Sequence, residues 1–119
     1  MPNPFVHVEL LTTDPVKAKA FYTELFEWKM EDSGGDMPYT VIDVGGEPGG
    51  GMMRVPNPGM PSAWFAYVYV DDIEAAAEKV KALGGTVMQG ITEVPDFGWL
   101  AVIADPTGAV LGLWKSKPR

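Results

Sequence analysis

Two side chains that can move protons, His7 and Glu9, stand two residues apart near the start of the chain. Residues 4–11 are rich in β-branched and aromatic side chains, which predicts a β-strand, and residues two apart in a strand share a face. An imidazole with an unperturbed pKa of about 6.5 suits proton transfer, and a neighbouring carboxylate would hold its tautomer. The pair is therefore a candidate general acid/base site. The alternative is a neutral histidine in a cavity wall, hydrogen-bonded to Glu9, Tyr67 or a backbone group.

Missing residue types limit the chemistry further. The chain has no cysteine and a single histidine, which excludes disulfides, thiolate nucleophiles, cysteine-based zinc sites and two-histidine metal sites within one chain. The glycine run at residues 45–51 is not followed by Lys-Ser/Thr, and Glu47 would repel a phosphate, so we expect a mobile hairpin there. We expect no cofactor, because a divalent metal would need donors from a second chain.

The charge balance bears on the partners. With 16 acidic against 9 basic side chains, the net charge is −7. Such a surface repels nucleic acid and anionic membranes and attracts cationic small molecules. No apolar run reaches the roughly 20 residues that span a membrane, and the first residues lack the basic start of a signal peptide. We therefore expect a cytoplasmic protein that binds neither nucleic acid nor membrane.

The predicted elements occur twice in the same order, as a strand, a helix and three strands. They fall at residues 4–11, 15–26, 28–31, 40–44 and 52–55, and again at 64–70, 73–83, 86–92, 99–104 and 109–115. A shift of 58 residues places Asp14 on Asp72, each in a helix-capping position. The predicted fold is α+β. It is a single domain over residues 1–119, with two tandem βαβββ modules at 4–55 and 62–115 and a proline-containing linker at 56–61.

Aromatic side chains occupy the positions of the second module that correspond to the His7 face. Alternation places Phe65, Tyr67 and Tyr69 on that face, and Gly112 and Trp114 share it on the last strand. An aromatic cavity with few polar groups is typical of a small-molecule site, although such aromatics also serve core or dimer packing. Tyr39, Trp64, Trp99 and the Met52–Met53 pair are predicted at the cavity rim. The predicted ligand-binding residues are His7, Met52, Phe65, Tyr67, Trp99, Gly112 and Trp114.

Several short motifs in this order carry a family resemblance. They are His7-Val8-Glu9, the helix start at residues 14–22, Leu25-Phe26-Glu27-Trp28, Val70-Asp71-Asp72-Ile73, Leu83-Gly84-Gly85, and Asp105-Pro106-Thr107-Gly108 before Leu113-Trp114. Together they cover nearly the whole chain, which resembles the vicinal oxygen chelate superfamily of glyoxalases, bleomycin-resistance proteins, fosfomycin-resistance enzymes and extradiol dioxygenases. The resemblance implies paired βαβββ modules whose curved mixed sheets enclose a cavity. It also implies a homodimer.

Metal-using members of that superfamily take four ligands, each His or Glu, from the first and last strand of each module. By position these fall on His7, Phe65, Gly112, and Met52 or a neighbouring glycine. Of these residues only His7 can bind Zn²⁺, Fe²⁺ or Mg²⁺, and Glu9 would add one donor. The resemblance therefore implies a site that has lost its metal.

Two hypotheses of different classes follow. The first is a metal-independent protein that binds an aromatic or cationic molecule. The second is a lyase, isomerase or dioxygenase that uses His7 and Glu9, either with a metal completed across a dimer or with His7 as a base. A regulatory module that binds a protein partner is the third alternative.

Overall fold

The computed structural model describes residues 2–32 and 39–118. The described part contains ten elements: β1 (Phe5–Thr12), α1 (Pro15–Leu25), β2 (Lys29–Asp32), β3 (Thr40–Asp43), β4 (Gly50–Arg54), β5 (Ala63–Tyr69), α2 (Ile73–Ala82), β6 (Thr86–Val94), β7 (Gly98–Ala104) and β8 (Val110–Ser116). The order strand, helix and three strands occurs twice. This confirms the predicted α+β class with two tandem βαβββ modules.

The chain divides into two compact units. One is His7–Phe65, and the other comprises the remaining described residues. The two divisions fall inside β1 and β5, whereas the sequence pattern places the module boundaries at 4–55 and 62–115. Those module boundaries stay a prediction.

In the unit that contains His7, the strand order is β2-β3-β4-β1. β1 and β4 run parallel, and the other neighbours are antiparallel, which gives a mixed sheet. One face of this sheet carries a core of Leu10, Ile42 and Met52, against which Ala18 and Tyr22 of α1 pack. Because strand residues alternate between faces, the other face of β1 presents His7 and Glu9.

The second unit repeats this arrangement with the order β5-β8-β7-β6. β5 and β8 are parallel, and β7 is antiparallel to both β8 and β6. The core consists of Ile73, Ala101 and Leu113, and Ala76 and Val80 of α2 pack against it. Along β5 and β8, residues that face this core alternate with residues that face away from it.

Both helices begin as the sequence predicts. The Asp14 carboxylate accepts a hydrogen bond from the Lys17 backbone N–H at 3.1 Å, and the Asp72 carboxylate accepts one from the Ala75 N–H at 3.0 Å. These bonds satisfy backbone donors that have no partner within the first helical turn. Gly84 follows α2 with a φ of +90°, the conformation that favours glycine after a helix. Among the described residues, no helix is long and apolar enough to cross a membrane.

The glycine run is the main difference from the predicted elements. β4 begins at Gly50, so two of the glycines assigned to a mobile hairpin belong to a strand and are buried. A Cβ atom on Gly50 would lie 2.8 Å from the Val8 carbonyl oxygen, closer than real side chains approach. The parallel pairing of β1 with β4 therefore needs glycine here, and periodicity alone could not locate the start of this strand.

Candidate functional site

The candidate site is a chain of three polar side chains on the face of β1 opposite the core. His7 Nε2 lies 2.7 Å from the Tyr39 hydroxyl oxygen, and the Tyr39 hydroxyl donates a hydrogen bond to Glu9 Oε1 at 3.1 Å. The His7 and Tyr39 rings are stacked, with centroids 6.4 Å apart. Glu9 is 7% exposed, so this carboxylate is shielded from solvent. The structure thus brings together the two residues that the sequence singled out and adds a tyrosine between them.

Tyr39 reaches this position because Gly51 leaves space for it. Gly51 pairs with Glu9 on β1 and with Val41 on β3. Paired residues of neighbouring strands point to the same face, so a side chain on Gly51 would stand beside Glu9. A Cβ atom added there would overlap the hydroxyl and ring of Tyr39. The tyrosine therefore fills the volume that the side chain of residue 51 would otherwise take.

Burial disfavours the protonated form of His7. Removal of the imidazole from water lowers the pKa of His7 below its usual 6.5, so the ring is neutral at pH 7. A neutral imidazole carries one proton, on either Nδ1 or Nε2. The Tyr39 hydroxyl has a single proton, and that proton is directed at Glu9. The role of His7 Nε2 in its contact with Tyr39 follows from the imidazole tautomer: a protonated Nε2 donates, and an unprotonated Nε2 accepts.

The corresponding positions of the second unit are aromatic. Tyr67 pairs with Gly112, and Tyr69 pairs with Trp114. A Cβ atom on Gly112 would overlap the Tyr67 ring, whose Cγ atom would lie at 2.7 Å. The Lys115 ammonium lies 5.9 Å from the centroid of the Tyr69 ring, within the range of a cation–π contact. The predicted common face of Tyr67, Gly112 and Trp114 is thus observed.

Two of the predicted ligand-binding residues pack in the cores of their units instead of lining a cavity. Met52 pairs with Leu10 and is 1% exposed in the core of its unit, so the last-strand site position belongs to the neighbouring Gly51. Trp99 packs against the core beneath α2 rather than at a rim. The number of residues in the glycine run that belong to β4 fixes the face of Met52, and an error of one residue moves a side chain to the other face.

Phe65 and Trp64 are neighbouring aromatic residues near the start of β5. Phe65 is buried, with 9% of its surface exposed. Trp64 was predicted at the cavity rim, but it donates a hydrogen bond to the Tyr22 hydroxyl and contacts the Tyr22 and Trp28 rings. It therefore belongs to an aromatic cluster beside α1.

The sequence predicts Tyr39 at the cavity rim, and the structure places its hydroxyl between His7 and Glu9. It was grouped with rim aromatics because it precedes β3 in a loop region. One signal could have found it: Tyr39 stands two residues before Val41, which is opposite Gly51 in the register of β3 and β4. That register depends on long-range pairing, so the local sequence does not reveal it.

Comparison with known proteins assigns the family. Residues 5–113 match the model of the Glyoxalase/Bleomycin resistance protein/Dioxygenase superfamily. The chain belongs to this superfamily. It is 40% identical over 115 residues to the protein named "Putative glyoxylase CFP32" from Mycobacterium tuberculosis, a match that covers 92% of this chain and 44% of that protein. It is 30% identical over 124 residues to the anthracycline biosynthesis protein DnrV of Streptomyces peucetius, with 90% of this chain and 45% of DnrV covered.

The chain spans less than half the length of these curated relatives. Among solved structures, the hypothetical protein BH1468 from Bacillus halodurans C-125 is similar over 100% of this chain and 98% of its own, with a TM-score of 0.74 and 13% identity. This likeness shows that the two chains share a fold.

A metal site of the superfamily type does not fit these residues. Of its four positions, the last strands provide Gly51 and Gly112, and a carboxylate side chain at either would overlap a tyrosine. Phe65 offers no donor atom. In the described ranges, 2–32 and 39–118, no group of three or more His, Cys, Asp or Glu side chains is placed to hold a metal ion. His7 and Glu9 alone leave a divalent ion with too few protein ligands.

Proposed function

We propose that this chain is a glyoxalase/bleomycin-resistance-like protein that binds a small aromatic or cationic molecule at the His7 face without a metal of the superfamily type. The observation that carries the proposal is the packing of Tyr39 over Gly51 beside Glu9, and in the other unit Tyr67 packs over Gly112 in the same way. These contacts replace metal ligands with aromatic rings, which suit the π-face of an organic molecule.

Charge supports the cationic part of the proposal. The net charge of −7 raises the local concentration of cations near the protein. Glu9 is buried and accepts a hydrogen bond from Tyr39, and in its ionised form it would attract a cation with less screening than a surface carboxylate. The name of DnrV supports the aromatic part, since anthracyclines are polycyclic aromatic molecules, many with an amino sugar.

The test uses an anthracycline with its amino sugar and the same compound as the uncharged aglycone. Both are titrated into the chelator-treated protein and followed by ligand fluorescence. We expect binding without added metal, about tenfold weaker in Tyr39→Ala and His7→Ala, because each loses contacts worth about 1.4 kcal/mol. Binding that requires an added divalent ion would contradict the proposal.

Glu9→Gln separates charge from shape. We expect it to weaken the amino-sugar compound and to leave the aglycone unchanged, while the exposed Glu24→Gln leaves both unchanged. If neither compound binds and a wider panel of small molecules produces no thermal shift, a module that binds a protein partner is favoured instead. The predictions for Phe65, Tyr67, Gly112 and Trp114 are examined with the same titration.

A second candidate function, proton transfer by His7, is favoured by one observation. The hydrogen-bonded chain of His7, Tyr39 and Glu9 orients the imidazole and links it to a carboxylate, as a general base requires. Turnover of a carbonyl substrate that His7→Gln abolishes and Glu24→Gln preserves would favour this enzyme.

We also propose that the chain forms a homodimer, as the resemblance implies, and that it is cytoplasmic, as its composition indicates. Sedimentation equilibrium checks the first part: a homodimer has twice the 12.9 kDa mass of the chain. A species with the 12.9 kDa mass of one chain at all concentrations would contradict the homodimer.

A further inference from the structure

Helix α1 carries apolar side chains on two faces. Ala18 and Tyr22 pack against the core of their unit. On the outer side, Val16, Phe21 and Leu25 are each more than half exposed. A helix that is apolar on both faces is usually covered by protein on both sides, because large exposed apolar patches are uncommon on monomers. The outer face of α1 is therefore a candidate contact surface.

The equivalent helix of the second module shows that the fold does not require this apolar face. With the shift of 58 residues, Val16 and Phe21 of α1 correspond to Glu74 and Lys79 of α2. Both residues of α2 are exposed, as expected for a helix whose outer side meets water. A module of this type thus forms with charged residues at these positions, so the apolar residues of α1 need another explanation.

The charges of α1 also differ from those of α2. Lys17 lies in the first turn of α1 and Glu24 in its last turn, and each charge is unfavourable beside the partial charge of that helix end. In α2 the order is the favourable one, with Glu74 in the first turn and Lys79 and Lys81 in the last. The charges of α1 would be compensated by a second helix that runs antiparallel and carries the same sequence.

Four residues of α1 form a stripe that is complementary to itself. Lys17, Ala20, Phe21 and Glu24 have the spacing i, i+3, i+4 and i+7, which places them on one helix face, and all four are exposed. A two-fold axis through the middle of this stripe places Lys17 opposite Glu24 of a second copy. The same axis places Phe21 opposite Ala20. Opposite charges and a large and a small side chain therefore meet twice.

We propose that the outer face of α1 is a docking surface for a second copy of this chain, in which the two α1 helices pack antiparallel about a two-fold axis. The proposal rests on the homodimer proposed above and names its interface. A two-fold interface uses the same patch on both chains, which the stripe allows. Among the residues that the structure describes, neither Lys17 nor Glu24 has an ion-pair partner, so both charges are available to the second copy.

The size of the α1 face sets the expected affinity. A helix of 11 residues is about 16 Å long. Two such faces bury little compared with the roughly 1,200–2,000 Å² of a standard interface, even when Val16 and Leu25 contribute at the edges. We therefore expect a dissociation constant in the micromolar range, with dimers that dissociate on dilution. Sedimentation equilibrium over a range of chain concentrations measures this constant.

Charge reversal tests the antiparallel arrangement. Lys17→Glu places two glutamates opposite each other in a homodimer, and Glu24→Lys places two lysines opposite each other. We expect each variant alone to dimerise about tenfold more weakly. The double variant should regain the wild-type affinity, and an equimolar mixture of the two single variants should form a heterodimer. Weak single variants without either rescue would overturn the antiparallel arrangement.

Phe21→Lys tests the apolar contact, since lysine is the residue at the corresponding position of α2. We expect dimerisation to weaken by about a hundredfold or more, because both rings leave the interface. Lys79→Glu on the outer side of α2 is the matched control and should leave the dimer unchanged. Folding is checked by thermal unfolding of dilute protein. Both charge reversals suit the helix dipole of α1, so loss of the dimer without loss of the fold is the expected pattern.

The outcomes separate this interface from the function proposed above. A wild-type dimer that Phe21→Lys and both charge reversals leave intact would overturn the α1 interface while the homodimer stands. A wild type with the mass of one chain would overturn both and would favour a partner of different sequence on α1. Ligand binding at the His7 face is a separate measurement, because α1 packs on the opposite face of its sheet. Neither these variants nor Glu24→Gln should change it.

Discussion

Both modules place a tyrosine over a glycine of the last strand, but the side chains of the first strand beside it differ in chemistry. In the first module the ring of Tyr39 covers Gly51, and its hydroxyl links His7 to Glu9. In the second module Tyr67 covers Gly112, and the residues at the positions of His7 and Glu9, 58 residues on, are Phe65 and Tyr67.

This difference shows that the same backbone arrangement can carry side chains of different chemistry in its two copies. The same backbone register, a glycine opposite the first strand, admits a ring in both modules. The side chains around the ring then form a hydrogen-bonded network in the first module and an aromatic surface in the second. Because the contact is at the hydroxyl end of Tyr39 but along the Cγ–Cδ2–Cε2 edge of the Tyr67 ring, the two modules should also respond differently to the same substitution.

Gly112→Ala should have the largest effect on stability. The new methyl group overlaps the Cγ–Cδ2–Cε2 edge of the Tyr67 ring, and this part of the ring cannot swing aside without moving β5. We expect the free energy of unfolding to fall by about 3 kcal/mol, as measured by urea denaturation. Gly90→Ala is the matched control, because a Cβ atom there meets nothing within 4 Å. Equal stabilities of the two variants would show that the Tyr67 ring does not exclude a side chain at residue 112.

Gly51→Ala should cost less stability. Here the methyl group meets the hydroxyl end of Tyr39, and this end can move, at the loss of its bonds to His7 and Glu9. We expect a loss of about 1–2 kcal/mol in the free energy of unfolding. In a Tyr39→Ala background the same change should be neutral or stabilising, since alanine restricts the unfolded chain.

The double-mutant cycle checks this second expectation directly. Gly46→Ala is its control, because a Cβ atom at Gly46 has open space around it. A cost of Gly51→Ala that persists unchanged without the Tyr39 ring would show that the ring is not what excludes a side chain at residue 51.

The pH dependence should be the smallest effect, and it belongs to the first module alone. The folded-state pKa of His7 lies below 6.5 because the ring is buried. As the pH falls below 6.5, the unfolded chain takes up a proton that folded His7 resists, so stability decreases until the pH reaches the folded pKa. Above 6.5 this contribution is fully present.

Thermal unfolding of wild type and His7→Gln between pH 7 and pH 5 isolates the effect. The wild type should lose more stability over this range than the variant does. A wild type that gains stability relative to His7→Gln on acidification would mean that folding raises the pKa of His7, contrary to the burial argument.

The sequence was sufficient for the repeated order of elements, because caps such as Asp14 and Asp72 and alternating strands are local signals. It also placed His7 and Glu9 on one face. It failed for Met52 and Trp99, whose faces depend on where β4 begins in the glycine run and on the packing of β7 beneath α2. Tyr39 was missed as a central residue because its position follows from the pairing of β3 with β4, which links distant parts of the chain.

Metal binding tests the central claim most directly. The chain, purified without chelator, is assayed for metal content, and the chelator-treated chain is titrated with Zn²⁺ and with Mn²⁺ by calorimetry. The packing of Tyr39 and Tyr67 over Gly51 and Gly112 predicts far less than one ion per chain, with heats that match those of His7→Ala. About one tightly bound ion per chain, lost in His7→Ala, would show that the superfamily metal site is retained and would contradict the account.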